Sequence, residues 1–326
     1  MTEHSLDAHA GRRFWDDLSA AVAHAVVGDT DALRLLAVAL LADGHALIDD
    51  VPGVGKTLLA RAFARALNLG FARVQGTPDL LPGDVTGSSV YEGGSFRYIP
   101  GHIFTNVLLV DEINRATPRT QAALLEAMQE RQVSADGESR PLPEPFIVLA
   151  TENPVELEGT FALPEAELDR FLVRISLGYP SRESELKIAQ RYRSSAEPLE
   201  AVPHVADAAR IAQLRDVVRE QTLGPEVLEY LVDLVRATRD HPDLRLGASP
   251  RSTVALYRAA QAWAFLDGRR FVLPEDVRAV APSVLGHRLL VDIDRRLRGT
   301  SPDAIVAGLL RTVPVPLADA LSALTG

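Results

Sequence analysis

Five short apolar runs constrain the fold of this chain more than any other feature: HALI at 45–48, FARVQG at 71–76, NVLLVD at 106–111, FIVLAT at 146–151 and FLVRISL at 171–177. Each has the length of a buried strand, and helical patterns such as KTLLARAFARALN and PRTQAALLEAMQE lie between them. Strands separated by helices are joined by crossovers rather than tight turns. The alternation therefore predicts an α/β fold, a parallel sheet core with helices on both faces, over residues 1–180. Two stretches interrupt it: a Gly- and Pro-rich insert at about 77–105, and residues 131–145, where ADGE reads as a hairpin turn. After GYPSR the pattern changes to amphipathic helices at 183–194, 207–221, 225–239, 250–266 and 274–286, with a weaker tail. Proline near the first turn of LGPEV, SPRS and LPEDV marks three helix starts. No run beyond 180 reads as a strand, so residues 181–326 are expected to form a smaller all-helical lid domain.

The first apolar run leads into IDDVPGVGKTLL, which nearly matches a phosphate-binding loop. A strand, a glycine-rich turn and a helix opening on Lys-Thr is the context that gives such a loop meaning, because backbone N–H groups and the helix N-terminus then face the phosphates. Pro52, Gly53, Val54, Gly55, Lys56, Thr57 and Leu58 are the expected nucleotide contacts. Lys56 would reach the β- and γ-phosphates and Thr57 would ligate magnesium. The usual first glycine is replaced by Asp50. Phosphate would repel an inward carboxylate, so Asp50 is expected to point away. Only two of the 34 basic residues, Lys56 and Lys187, are lysines. Lysine thus stands at the one place where a compact ammonium on a flexible stem suits phosphate better than a planar guanidinium.

NVLLVDEINRA is an apolar strand ending in two carboxylates. Asp111 is placed to hold magnesium through water and Glu112 to orient and deprotonate the attacking water. FIVLATENP is another strand ending near an amide, Asn153, which on a neighbouring strand could hold the water or touch the γ-phosphate. ATP and Mg2+ are the cofactors these residues call for.

Together these segments resemble the AAA+ ATPases, and among them the MoxR family, over nearly the whole chain. The stretch VVGDTDALRLLAVALLADGHALIDDVPGVGKT is similar to the family's entry helix and Walker A segment, LLVDEINRA to Walker B and ATENP to sensor 1. LPEAELDRF resembles the stretch that carries the arginine finger, here Arg170, and GASPRS resembles sensor 2, here Arg251. DLLPGDVTG is similar to the insert within helix 2, and 131–145 to the hairpin before sensor 1. The chain departs from the family at Asp50, where glycine is usual, and at His102 of YIPGHIF, where the family pattern has proline. The resemblance implies a ring, a hexamer, with ATP between subunits. Arg170 would face a neighbour, and Arg251 would clamp nucleotide and couple hydrolysis to lid motion. It also implies chaperone-like work on protein clients, including partners with von Willebrand factor A domains.

Charge and composition bound the alternatives. Residues 1–180 carry 14 basic and 25 acidic groups, a net of −11, whereas 181–326 carry 20 and 19, a net of +1. An acidic front half argues against broad contact with a phosphate backbone, so nucleic acid is not expected as a partner. There are no cysteines, no apolar run approaches the ~20 residues of a membrane span, and the N-terminus lacks the layout of a signal peptide, so a cytoplasmic protein is expected. Two other readings remain open: a nucleic-acid-associated motor, and a nucleotide-dependent switch with little turnover.

Overall fold

The computed structural model describes residues 9–28, 30–49, 51–135, 137–153, 159–191 and 198–316. In chain order the first nine strands are β1 (Ala46–Asp49), β2 (Phe71–Gln75), β3 (Gly87–Glu92), β4 (Ser95–Pro100), β5 (Val107–Asp111), β6 (Gln132–Ala135), β7 (Glu138–Pro141), β8 (Ile147–Glu152) and β9 (Val173–Ile175). Five of them form the predicted parallel sheet in the order β2-β5-β8-β1-β9. The three central strands are buried almost throughout, which is why they read as unbroken apolar runs. The edge strand β2 alternates instead, and Arg73 and Gln75 are its polar, exposed positions.

The helices of this part are α1 (Ala10–Ala23), α2 (Asp31–Leu41), α3 (Lys56–Ala66), α4 (Pro82–Thr86), α5 (Pro118–Glu130) and α6 (Glu165–Leu168). Thr117 caps α5 through its side chain, with Pro118 at the first helical position. The two interruptions of the alternation are hairpins. β3 pairs with β4 after α4, and β6 pairs with β7; Asp136 of the ADGE turn lies outside the described residues.

The remaining helices are α7 (Arg182–Arg191), α8 (Ala208–Arg219), α9 (Pro225–Ala237), α10 (Pro250–Leu266), α11 (Pro274–Leu285), α12 (Ile293–Leu297) and α13 (Pro302–Thr312). The expectation of an all-helical lid needs correction. Thr222–Leu223 pairs with Phe271–Val272, and Leu244–Leu246 pairs with Leu290–Val291. Strands this short carry no readable alternation; they are seams that tie helix ends together. α7 departs from expectation too, since it buries none of its residues.

The apolar core lies in two parts, one on each face of the sheet. One face packs Leu108, Val110, Val148 and Ala150 against Leu124, Leu125 and Met128 of α5. The other packs Leu109, Leu149 and Ile48 against α1, α2 and α3, and continues without a break into Leu214, Leu231, Leu256, Val277 and Leu309. Arg34 of α2 reinforces this junction: its guanidinium lies 3.9 Å from the centre of the Trp263 ring of α10 and pairs with Asp267.

Candidate functional site

The chain leaves the sheet at Asp49, the end of β1, and turns through Gly53 (φ 85°) and Gly55 (φ 94°) into α3, which opens on Lys56. Both glycines hold a left-handed backbone that side chains resist, and that backbone aims successive N–H groups at one point. Lys56, Thr57 and Leu58 are half-buried, while Pro52 and Gly53 are exposed and Val54 is half-buried. Asp50 lies outside the described residues.

Two strands away, Asp111 ends β5 and Glu112 follows it. Asp111 is buried; one carboxylate oxygen accepts the Arg73 Nε–H at 2.6 Å and the other accepts the Thr151 hydroxyl at 3.3 Å. Glu112 adopts a left-handed backbone (φ 55°, ψ 52°), and its N–H donates to Thr151 Oγ1 at 2.9 Å. Its carboxylate accepts from Gln75 Nε2 at 3.0 Å and from Arg115 at 3.2 Å. Gly76 permits this crowding, since a Cβ there would sit 2.2 Å from the Glu112 carbonyl oxygen. Asn153 is buried just past β8, the strand between β5 and β1, and so stands between the carboxylates and the glycine loop. Beside it Glu152, in register with Asp49, is raised from the usual carboxylate range to about 7. Burial is the main cause, Asp49 adds repulsion, and Arg174 opposes both. Thr57 and Asp111 offer hydroxyl and carboxylate oxygens, a donor set that fits magnesium.

Arg170 and Arg251 lie elsewhere. They line a cleft of about 520 Å³ together with Gly44, His45 and Arg258. Gly44 and His45 precede β1, so the cleft opens at the N-terminal end of the strand whose other end bears the glycine loop. The four residues of β1 alone separate the two by ~13 Å. Asp169 makes the cleft: it accepts from the Ser249 hydroxyl at 3.1 Å, the N-cap of α10, and from Arg288 Nε at 2.7 Å. Arg288 is buried and spans to the carbonyls of Phe171 and Leu172, fixing α10 against the approach to β9. Within the single chain Arg251 is therefore brought to Arg170, not to the chain's own glycine loop. Arg170, Arg251 and Arg258 pair with no carboxylate among the described residues, and Arg170 Nε is buried without a hydrogen-bond partner.

His45 is buried and neutral, its pKa pushed down to about 3 chiefly by desolvation, then by Arg131. Its Nδ1 accepts the Val148 N–H at 2.9 Å and its Nε2 faces the Met128 carbonyl at 3.2 Å, so it pins the starts of β1 and β8 to α5.

Sequence reasoning missed Arg73, Gln75, Thr151, Asp169, Arg258 and Arg288. Arg73 and Gln75 carry a readable signal, the polar alternation of an edge strand. Arg258 follows Arg251 by seven residues and so shares its helix face. The others act through contacts between distant segments. Of the two arginines that follow the Asp111–Glu112 pair in the chain, Arg115 bonds Glu112 and Arg119 is exposed. His102 lines a cleft between β2 and the β3–β4 hairpin.

Comparison with known proteins finds a match to the ATPase family associated with various cellular activities over residues 45–173, and to the AAA lid domain over 236–307. The chain is 45% identical over 294 residues to the uncharacterized protein YeaC of Bacillus subtilis, covering 90% of this chain and 92% of that one. It is 40% identical over 307 residues to chaperone MoxR1 of Mycobacterium tuberculosis, covering 91% and 81%. A crystal structure of an ATPase candidate from Cytophaga hutchinsonii superimposes with a TM-score of 0.89 at 36% identity, covering 95% of this chain and 97% of that one.

Proposed function

Since the chain belongs to the MoxR family of AAA+ ATPases, we propose that it hydrolyses ATP at sites shared between neighbouring copies in a ring, and uses the cycle to remodel protein clients. One observation carries the shared-site reading: the glycine loop and the carboxylates lie at one end of the sheet, and Arg170 and Arg251 at the other. A single copy cannot close both halves on one nucleotide. A second copy, placed so that its cleft meets the first copy's loop, completes the site. Successive copies related this way close a ring, for which a hexamer is the proposed number.

In this reading Lys56 and the α3 N-terminus bind the phosphates. Thr57 and Asp111 would hold magnesium, which when bound with ATP supplies charge neutralisation on the phosphates. Glu112 takes the proton of the attacking water and Asn153 orients that water. Arg170 and Arg251 from the neighbour stabilise charge on the transferred phosphoryl group. The chaperone-like role rests on similarity to MoxR1, which bears that name; clients with von Willebrand factor A domains are the proposed partners.

The test is complementation. Glu112→Gln keeps the shape of the base but cannot accept the proton, and Arg170→Ala removes the neighbour's charge. Each alone should retain less than about 5% of turnover, because such groups supply factors of ~10² or more. Mixed in equal amounts, some interfaces pair an intact base with an intact arginine, so activity should exceed the average of the two. Exchange is followed with labelled subunits. Exchange without any gain in activity would exclude a shared site.

A further inference from the structure

The cation that occupies the Walker B aspartate here belongs to the chain itself. Arg73 stands on the edge strand β2, two residues before Gln75, so the two side chains share one face of the strand. Arg73 bonds one oxygen of Asp111 at 2.6 Å and Gln75 bonds Glu112 at 3.0 Å. Thr151 takes the other oxygen of Asp111. A buried carboxylate demands a counter-charge, and among the described residues Arg73 supplies it.

We propose that Arg73 is a placeholder cation: it neutralises Asp111 while the metal is away and competes with the metal for it. This rests on the nucleotide-site reading above and assigns it a regulatory residue. The argument is electrostatic. A dication at Asp111 and a guanidinium bonded to the same carboxylate repel each other, so metal loading weakens or breaks the Arg73–Asp111 bond. The guanidinium has somewhere to go. Its side chain is half-exposed, and it lines a cleft of about 560 Å³ beneath the β3–β4 hairpin whose walls include Asp84 and His102. Arrival of the metal would thus transfer a positive charge from the carboxylate to the cleft under the insert.

The competition is measurable without turnover. Full-length wild type, Arg73→Gln and Arg73→Lys are titrated with Mn2+ in the presence of ADP, and free Mn2+ is read by electron paramagnetic resonance. Removing the competitor should tighten Mn2+ binding about two- to fivefold in Arg73→Gln, the scale of a partly exposed ion pair. Arg73→Lys keeps the charge but loses the guanidinium's directed N–H, and should fall between the two. Metal-free Arg73→Gln should melt below wild type and gain more than wild type on adding Mn2+ with ADP. Equal or weaker Mn2+ binding by Arg73→Gln overturns the proposal, because Arg73 would then be idle or would hold Asp111 in place for the metal. If Arg73→Gln does not fold, Arg73→Lys decides on the same criterion. Lys56→Ala separates the two levels: Mn2+–ADP binding that survives it overturns the nucleotide-site reading, whereas binding that needs Lys56 and ignores Arg73 overturns only this proposal.

Discussion

Glu152 holds a proton at a pH where a free carboxyl has lost it, and its neighbours explain why. It is largely buried at the end of β8, and its register partner on β1 is Asp49, a second carboxylate. Arg174 lies 3.8 Å from Asp49 but gives most of itself to Asp303 of α13, at 2.6 Å. One guanidinium thus serves three acids, and it offsets only part of the burial that raises Glu152. Its pKa rises from 4.5 to about 7 on folding, so its contribution to stability is full below 4.5 and is lost as pH rises through 7. Glu152→Gln removes that loss. Between pH 5 and 8 the variant should gain stability relative to wild type, by about 1–3 kcal/mol, because each tenfold change in proton affinity on folding is worth roughly 1.4 kcal/mol. Urea unfolding at both pH values checks this; parallel pH profiles would mean that Glu152 is ionised in the folded protein. The adjacent Asn153 is legible as a candidate from its motif. Glu152 is not, because its chemistry comes from a strand roughly 100 residues away in the chain, beyond the reach of any local pattern.

At the scale of elements, what was legible is what repeats. The central strands announced themselves because burial on both faces leaves no polar position, and the helix starts because Ser, Thr and Pro have local reasons to stand there. The strand pairs of the lid are two or three residues long and have no period to read. The motif GASPR singles out Arg251 but not the end of the sheet at which it lies; that is decided by the Ser249–Asp169–Arg288 linkage, which joins three separate segments. The pairing of β2 with β5 makes a sharper demand at one residue. Gly76 donates its N–H to the Asp111 carbonyl at 2.6 Å and leaves no room for a side chain beside Glu112. Gly76→Ala should push β2 away from β5 at the two carboxylates. The cost expected from such overpacking is about 1–3 kcal/mol, read by urea unfolding, and turnover should fall further than stability. A variant as stable and active as wild type would show that the strand ends yield without disturbing Glu112.

For the molecule as a whole, buried histidines set the acid limit. His45 and His287 are both held neutral by burial, His45 down to about 3. The unfolded chain gains protons on these rings below 6.5 while the folded one does not, so their contribution is present above that pH and lost as pH falls. Glu152 acts in the opposite direction over 4.5 to 7, but one carboxyl opposes two imidazoles. Stability should therefore climb from pH 5 to a maximum near 6.5, by about 1 kcal/mol per pH unit after the partial cancellation. Denaturant titrations across that range test it; a maximum at or below pH 5 would require at least one histidine to be charged in the native state.

The unbroken core on the α1–α3 side of the sheet has a consequence for how this chain can be cut. The change of pattern after GYPSR looks like a seam, yet Leu36, Leu40 and Phe63 before it share one apolar interior with Leu214, Leu256 and Val280 after it. The boundary of composition therefore does not divide the apolar core on this face. A fragment ending near residue 180 would keep the glycine loop, both carboxylates and Asn153, but would turn a buried wall outward, a patch of the kind that drives association. Expressed alone it should be insoluble or molten, and the intact chain should melt in a single calorimetric transition. A substitution that loosens the wall on either side of the seam should therefore lower that one transition as a whole rather than split it in two.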